Sequence, residues 1–157
     1  MKIKRKLSDK IFPFVLIMVV MLLVVKFFFF DYWIVKGDSM RETYHDGDIV
    51  FINKYKNEIN RFDVIVCKTP IQFQRVIKRI VALPNETILI KDGKIYVDGV
   101  LLNDCIDVKF SFAGVAEQEY TLKSNEYFVL GDNRNNSADS RNFGGISSDK
   151  IIGIVID

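Results

Sequence analysis

"IKDGKIYV", residues 90–97, places Asp92-Gly93 between two short runs of β-branched and aromatic residues. Both central residues of a two-residue hairpin turn need positive φ, and Asp-Gly is among the pairs that adopt it at least cost. The stretch therefore predicts a hairpin with Asp92-Gly93 at its tip. Outward from it, the same texture recurs in "DIVFIN" (48–53), "FDVIVC" (62–67), "FQRVIKRIVAL" (73–83), "ETILIK" (86–91), "KIYVDG" (94–99), "EYFVLG" (126–131) and "IIGIVI" (151–156). Each segment is short and bounded by turn formers, which predicts a mainly β domain, a sandwich or barrel with little helix. Residues 100–125 have the weakest periodicity and read as an irregular connection.

The amino end differs in kind. Ile11 to Phe30 is twenty residues with one charge, Lys26, and one proline, Pro13. At about 1.5 Å per residue, such a helix spans roughly 30 Å, the thickness of a hydrocarbon core. Lys26 is placed to snorkel toward the headgroups, and Tyr32 and Trp33 follow as interface-favouring types. Residues 1–10 carry five basic side chains against Asp9 alone. Positive flanks stay in the cytoplasm, so residues 1–10 are expected as a cytoplasmic tail, 11–30 as a transmembrane anchor and 31–157 as an extracytoplasmic domain. A cleaved signal peptide is the competing reading. The apolar run exceeds the usual length of about 7–15 residues, and no small-x-small site follows it.

Of the 22 basic and 20 acidic residues, six and one respectively fall before Asp31, leaving +5 on the amino end and −3 on residues 31–157. A mildly acidic domain with no basic stripe speaks against nucleic acid as a partner. Cys67 and Cys105 are too few for a disulfide framework, and Cys67 closes an apolar run like a small buried hydrophobe.

Three stretches can carry chemistry. "GDSM" (37–40) is by itself an ordinary turn, of interest only if a base stands near Ser39. The one histidine, His45, lies in the turn-like "YHDGD", which leaves lysine as the candidate base. In "QRVIKRIVALP" (74–84), strand alternation puts Val76, Lys78 and Ile80 on one side and Arg75, Ile77 and Arg79 on the other. A free lysine has pKa about 10.4, so service as a base near pH 7 needs a fall of about 3, roughly 4 kcal/mol. Burial among apolar groups supplies such a fall. An edge-strand lysine guarding against aggregation is the plain alternative. "GDNRNNSADSRNFGG" (131–145) is turn-rich, and its acid spacing does not match a calcium loop. Its alternating Asp132, Arg134, Asp139 and Arg141 suggest a loop folded on itself by bidentate ion pairs, fixing Ser137 and Ser140.

Taken together, "GDSM", "GDIVFI", "IKRIVALP" with the "DGKIYVDG" hairpin, and "GDNRNNSADSRNFGGI" resemble, in order and spacing, the boxes of type I signal peptidases. These are membrane-anchored serine-lysine proteases that remove signal peptides from exported precursors. The resemblance spans essentially the whole chain and is closest to the single-anchor Gram-positive form. It implies two antiparallel sheets, with substrate laid extended along a strand edge and small pockets for side chains at −1 and −3. It also implies Ser39 as nucleophile, Lys78 as general base, and Ser137 orienting the lysine amine. Asp139 and Arg141 would stabilise the loop, and the Ser39 N–H would be an oxyanion donor. No cofactor or metal is implied. The partners implied are precursor proteins bearing signal peptides and the lipid bilayer. Nine extended residues from Phe30 reach at most about 30 Å, so Ser39 would work near the membrane surface.

The chain departs from the family pattern in three places. Gly37 stands where some members carry a hydroxyl donor, Glu42 where proline is usual, and "LPNE" (83–86) where "LPGD" is common. Two other classes of function compete. Self-cleaving repressors share a related catalytic core but carry a DNA-binding amino-terminal domain, where this chain has an apolar run. A silent relative serving as a membrane-anchored assembly factor for surface fibres would explain Gly37 and Glu42 but not the retained Ser39 and Lys78.

Overall fold

The computed structural model describes residues 2–55, 58–70, 74–108 and 111–156, with side chains described for 11–24 and, within those stretches, from 31 onward. Helix α1, Lys2–Phe29, leads directly into β1, Phe30–Ile34. There follow β2 (Ile49–Asn53), β3 (Val64–Lys68), β4 (Arg75–Ala82), β5 (Thr87–Lys91), β6 (Lys94–Val97) and β7 (Val100–Leu101). After a short 3₁₀ turn, Gly114–Glu117, come β8 (Tyr120–Thr121), β9 (Glu126–Leu130), a one-turn helix α2 (Ser140–Phe143), β10 (Ile146–Ser147) and β11 (Ile151–Ile156).

The strands form two antiparallel sheets, one of order β1-β2-β11-β3-β4-β9-β10 and one of order β7-β6-β5-β8. The domain is mainly β, as the short alternating runs require. The Asp92-Gly93 hairpin forms with Lys91 opposite Lys94, both turn residues at positive φ. A second Asp-Gly turn goes beyond the sequence reading. "KIYVDG" is not one strand, because Asp98 and Gly99 also take positive φ and fold Val100 back opposite Val97. Among its described residues the 100–125 connection accordingly holds two very short strands and a 3₁₀ turn.

Among the described residues three apolar clusters form the core, and the first of them joins the two sheets. Ile88, Ile90, Ile95 and Val97 of the smaller sheet pack on Val81, Phe128 and Leu130 of the larger one. Ile65, Cys67, Ile80, Val129, Ile146 and Ile151 fill one face of the larger sheet's centre. Val35, Met40, Val50, Val64 and Ile77 form the third. Ile77 and Ile80 thus fall in different clusters, as alternation along β4 demands. Lys78 is no edge residue: its strand lies between β3 and β9, with Ile65 directly opposite.

The apolar amino-terminal run is only partly as expected. Residues 11–24 of α1 are helical and exposed, while Phe30, expected in the anchor, opens β1 opposite Asn53. Among the described residues, no helix is long and apolar enough to cross a membrane. Lys26 lies outside the described side chains. Tyr32 and Trp33 part company: Tyr32 is exposed, whereas Trp33 turns onto the third cluster beneath the Arg75 guanidinium, 5.5 Å from its ring centroid.

Candidate active site

Ser39 stands in the turn between β1 and β2, and burial of its neighbour fixes it there. Met40 is wholly buried in the third cluster, and its carbonyl accepts the N–H groups of Thr43 and Tyr44 at 2.8 and 2.7 Å. Gly37 takes φ 79°, and its N–H donates to Asp46 Oδ1 at 2.7 Å, closing the turn from outside. Glycine is the residue that enters this left-handed region without steric cost.

Lys78 Nζ lies 2.7 Å from Ser39 Oγ and donates to the Ile77 carbonyl at 2.9 Å. The lysine is only 2 % exposed. Val76 and Ile80 flank it on its own face, with Ile65 and Cys67 of β3 alongside. Burial holds the ammonium below its ordinary range, and nearby Asp139 and Asp132 oppose this only in part. Cys67 is itself pushed up to about 12 by burial, so at lower pH it is a neutral thiol carrying no charge to set against the amine. Cys67 and Cys105 are both free.

The 131–145 loop closes over this pair. Asp139 caps α2, and its fully buried carboxylate takes Arg141 Nε and Nη2, both at 2.8 Å. The same carboxylate accepts the Gly131 N–H at 3.1 Å, while Asn142 Oδ1 accepts the Asp139 N–H. Arg141 also donates to the Phe112 carbonyl at 3.2 Å, and Ser140 Oγ accepts the Val129 N–H at 3.0 Å. The Ser137 hydroxyl is buried and has no hydrogen-bond partner among the described residues. Gly131 runs so close to Ser137 Oγ and the Ser39 carbonyl that a Cβ there would collide with both.

Only half of the expected self-folding occurs. Asp139 and Arg141 pair within the loop, but Asp132 and Arg134 reach outside it. Asp132 takes Arg79 of β4 in a bidentate bond at 2.8 and 2.6 Å, and its Oδ2 also accepts Thr43 Oγ1 at 2.6 Å. Arg134, fully buried, pairs with Asp104 of the irregular connection and donates to the Gly131 carbonyl at 3.1 Å. Spacing along one loop cannot reveal partners that arrive from β4 and from residue 104.

His45 stays on the exposed turn, 3.9 Å from Asp48. Sequence reasoning also passed over Asn133. Its backbone N–H donates to the Ser39 carbonyl, and its side-chain amide donates to the Asp38 carbonyl, both at 3.0 Å. Among the described residues, no three His, Cys, Asp or Glu side chains converge as a metal site.

Known proteins resemble this chain along most of its length. Residues 8–156 match the family model described as "Signal peptidase, peptidase S26". Signal peptidase I T of Bacillus subtilis (strain 168) is 33 % identical over 152 residues, covering 88 % of this chain and 78 % of that protein. Signal peptidase I V of the same organism is 36 % identical over 145 residues, covering 82 % and 84 %. The crystal structure of a signal peptidase I from Enterococcus faecalis V583 superposes with a TM-score of 0.53 at 32 % identity, covering 64 % of this chain and 98 % of that one. Because the family model matches residues 8–156, nearly the whole of this chain, the chain belongs to the S26 family of signal peptidases.

Proposed function

We propose that this chain is a membrane-anchored serine endopeptidase that cleaves signal peptides from exported precursors, with Ser39 as nucleophile and Lys78 as general base. The observation that carries the assignment is the 2.7 Å approach of a buried lysine amine to a serine hydroxyl. A neutral amine there accepts the Ser39 proton as Oγ attacks the scissile carbonyl carbon. The resulting ammonium passes that proton to the departing amine, leaving an acyl-enzyme. Water then attacks the ester, again giving its proton to Lys78, and Ser39 is restored. The Ser39 N–H is the oxyanion donor in both tetrahedral steps.

Ser137 orients the amine in this scheme. Its hydroxyl is buried yet unbonded among the described residues, an unusual cost for a group with no task. Asp139 and Arg141 hold the loop that carries it, and no metal or cofactor enters the chemistry.

We also infer that residues 11–30 anchor the chain in the membrane, with residues 1–10 in the cytoplasm and 31–157 on the outer face. The support is an all-round apolar helix surface over residues 11–24 that stays exposed. It joins β1 without a linker, and exposed Tyr32, Ile34, Ile49 and Phe51 continue the apolar surface onto the sheet. A bilayer covers both, and the precursor's cleavage site emerges from the same bilayer.

The experiment is processing of exported precursors by the detergent-solubilised chain, beside Ser39→Ala and Lys78→Ala. Wild type should release mature protein, and each variant should lose at least a thousandfold. Equal inertness of all three across several precursors would overturn the enzyme reading in favour of an assembly factor.

A further inference from the structure

We infer that Asn133 is a positioning residue that aims the Ser39 N–H at the oxyanion, doing for the backbone donor what a hydroxyl at position 37 would otherwise supplement. The inference rests on Ser39 being the nucleophile.

Residues 131–133 run beside residues 38–40, and the contacts between them converge on Ser39. The Asp132 N–H meets Met40 Sδ at 3.4 Å, and the Asn133 N–H donates to the Ser39 carbonyl at 3.0 Å. Asn133 Nδ2 donates to the Asp38 carbonyl at 3.0 Å. One residue thus grips the two carbonyls that bracket the nucleophile. Because that neighbour is a carbonyl, the amide must present its nitrogen rather than its oxygen.

The peptide linking Asp38 to Ser39 is trans, as every peptide among the described residues is. In a trans peptide the C=O and the N–H point in opposite directions from one rigid plane. Pinning the Asp38 carbonyl to Asn133 therefore directs the Ser39 N–H away from Asn133. That N–H makes no hydrogen bond to any described residue. It is an aimed donor with an open acceptor position, on the residue whose Oγ meets Lys78.

The local sequence makes the pin matter. Gly37 has no side chain to add a second donor, so the Ser39 N–H is the donor this segment offers. Without the Asn133 amide, the 38–39 plane is free to rock, and the donor loses the preorganisation on which oxyanion stabilisation depends.

The test compares Asn133→Ala and the isosteric Asn133→Asp with wild type in precursor processing and in inhibition by a substrate-like peptide aldehyde. The aldehyde traps the serine as a hemiacetal: Oγ bonds to the carbonyl carbon, whose oxygen takes the displaced proton and occupies the oxyanion position. Complete loss of one oxyanion donor costs about 10²–10³ in kcat, so a loosened one should cost about 10- to 100-fold. We expect that loss in kcat with KM unchanged, and aldehyde affinity weakened by a similar factor. The apparent pKa of kcat/KM should stay where it is, because Asn133 does not touch Lys78. Should the alanine variant fail to fold, Asn133→Asp carries the kcat, KM and aldehyde readouts, the pKa comparison being confined to Asn133→Ala because a carboxylate near Lys78 adds a charge of its own. Activity within twofold of wild type, a loss confined to KM, or unaltered aldehyde affinity would overturn the inference while leaving the peptidase reading intact. An inert wild type would overturn the peptidase reading itself.

Discussion

The Lys78 amine touches the Ser39 hydroxyl across 39 residues of chain, and it does so from inside the protein rather than from its surface. The lysine stem rises from a central strand, with an apolar cluster beneath it and a closed loop above. The serine is held at its tip because Met40, the next residue, is sunk in the core. Two unrelated pieces of packing therefore meet at one hydrogen-bond distance, and the chemistry follows from what burial does to an amine.

Catalysis should follow the neutral form of Lys78. Burial favours loss of its proton, so kcat/KM should rise through an apparent pKa below that of free lysine and then level off. A pH–rate profile over pH 5 to about 11 measures it. A rate still climbing near pH 10.4 would contradict a buried, neutral base.

Stability should carry the same signature with a definite sign. In the unfolded chain Lys78 binds a proton up to about pH 10.4, whereas the folded chain gives it up earlier. The unfolded state binds more protons between those two values, so stability rises with pH across that window and is lowest below it. Lys78→Met removes the penalty. It should be inactive yet more stable at neutral pH by about 1–4 kcal/mol, the range for replacing buried charged groups with apolar ones. The gap should narrow toward pH 10 in denaturant titrations.

Breaking the Asp139–Arg141 pair should be costly. Both partners are buried, and Arg141→Ala leaves a carboxylate that also caps α2 without its counter-charge. The expected loss is about 3–5 kcal/mol, with activity falling alongside. Adding Asp139→Ala should cost less than the sum of the two single changes, which a double-mutant cycle reads directly.

Ser137→Ala should separate stability from activity. The hydroxyl is buried without a partner among the described residues, so its removal leaves no bond broken and should hold Tm level or raise it. If the hydroxyl orients the Lys78 amine during turnover, kcat should fall at least tenfold. A variant with wild-type kcat would remove Ser137 from the mechanism.

Much of this was legible in the linear chain because the signals are local. Alternation of β-branched residues and the Asp92-Gly93 pair specify strands and a hairpin through the immediate φ/ψ needs of a few neighbours. The seven anticipated strands all appear, within a residue or two, in the larger and smaller sheets. Val76 and Ile80 flank Lys78 because side chains alternate along any strand, and the Asp139 cap needs only Arg141 and Asn142 beside it.

Only the tertiary structure decided what depends on distant segments meeting. Whether β4 is an edge or a centre is set by β3 and β9, and that choice is what buries Lys78. The partners of Asp132 and Arg134 come from Arg79 and Asp104, and the clamp on Ser39 comes from Asn133. Nothing along the sequence encodes those distances. They arise from the way apolar faces exclude water, which selects the packing and brings remote polar groups into bonding range as a consequence.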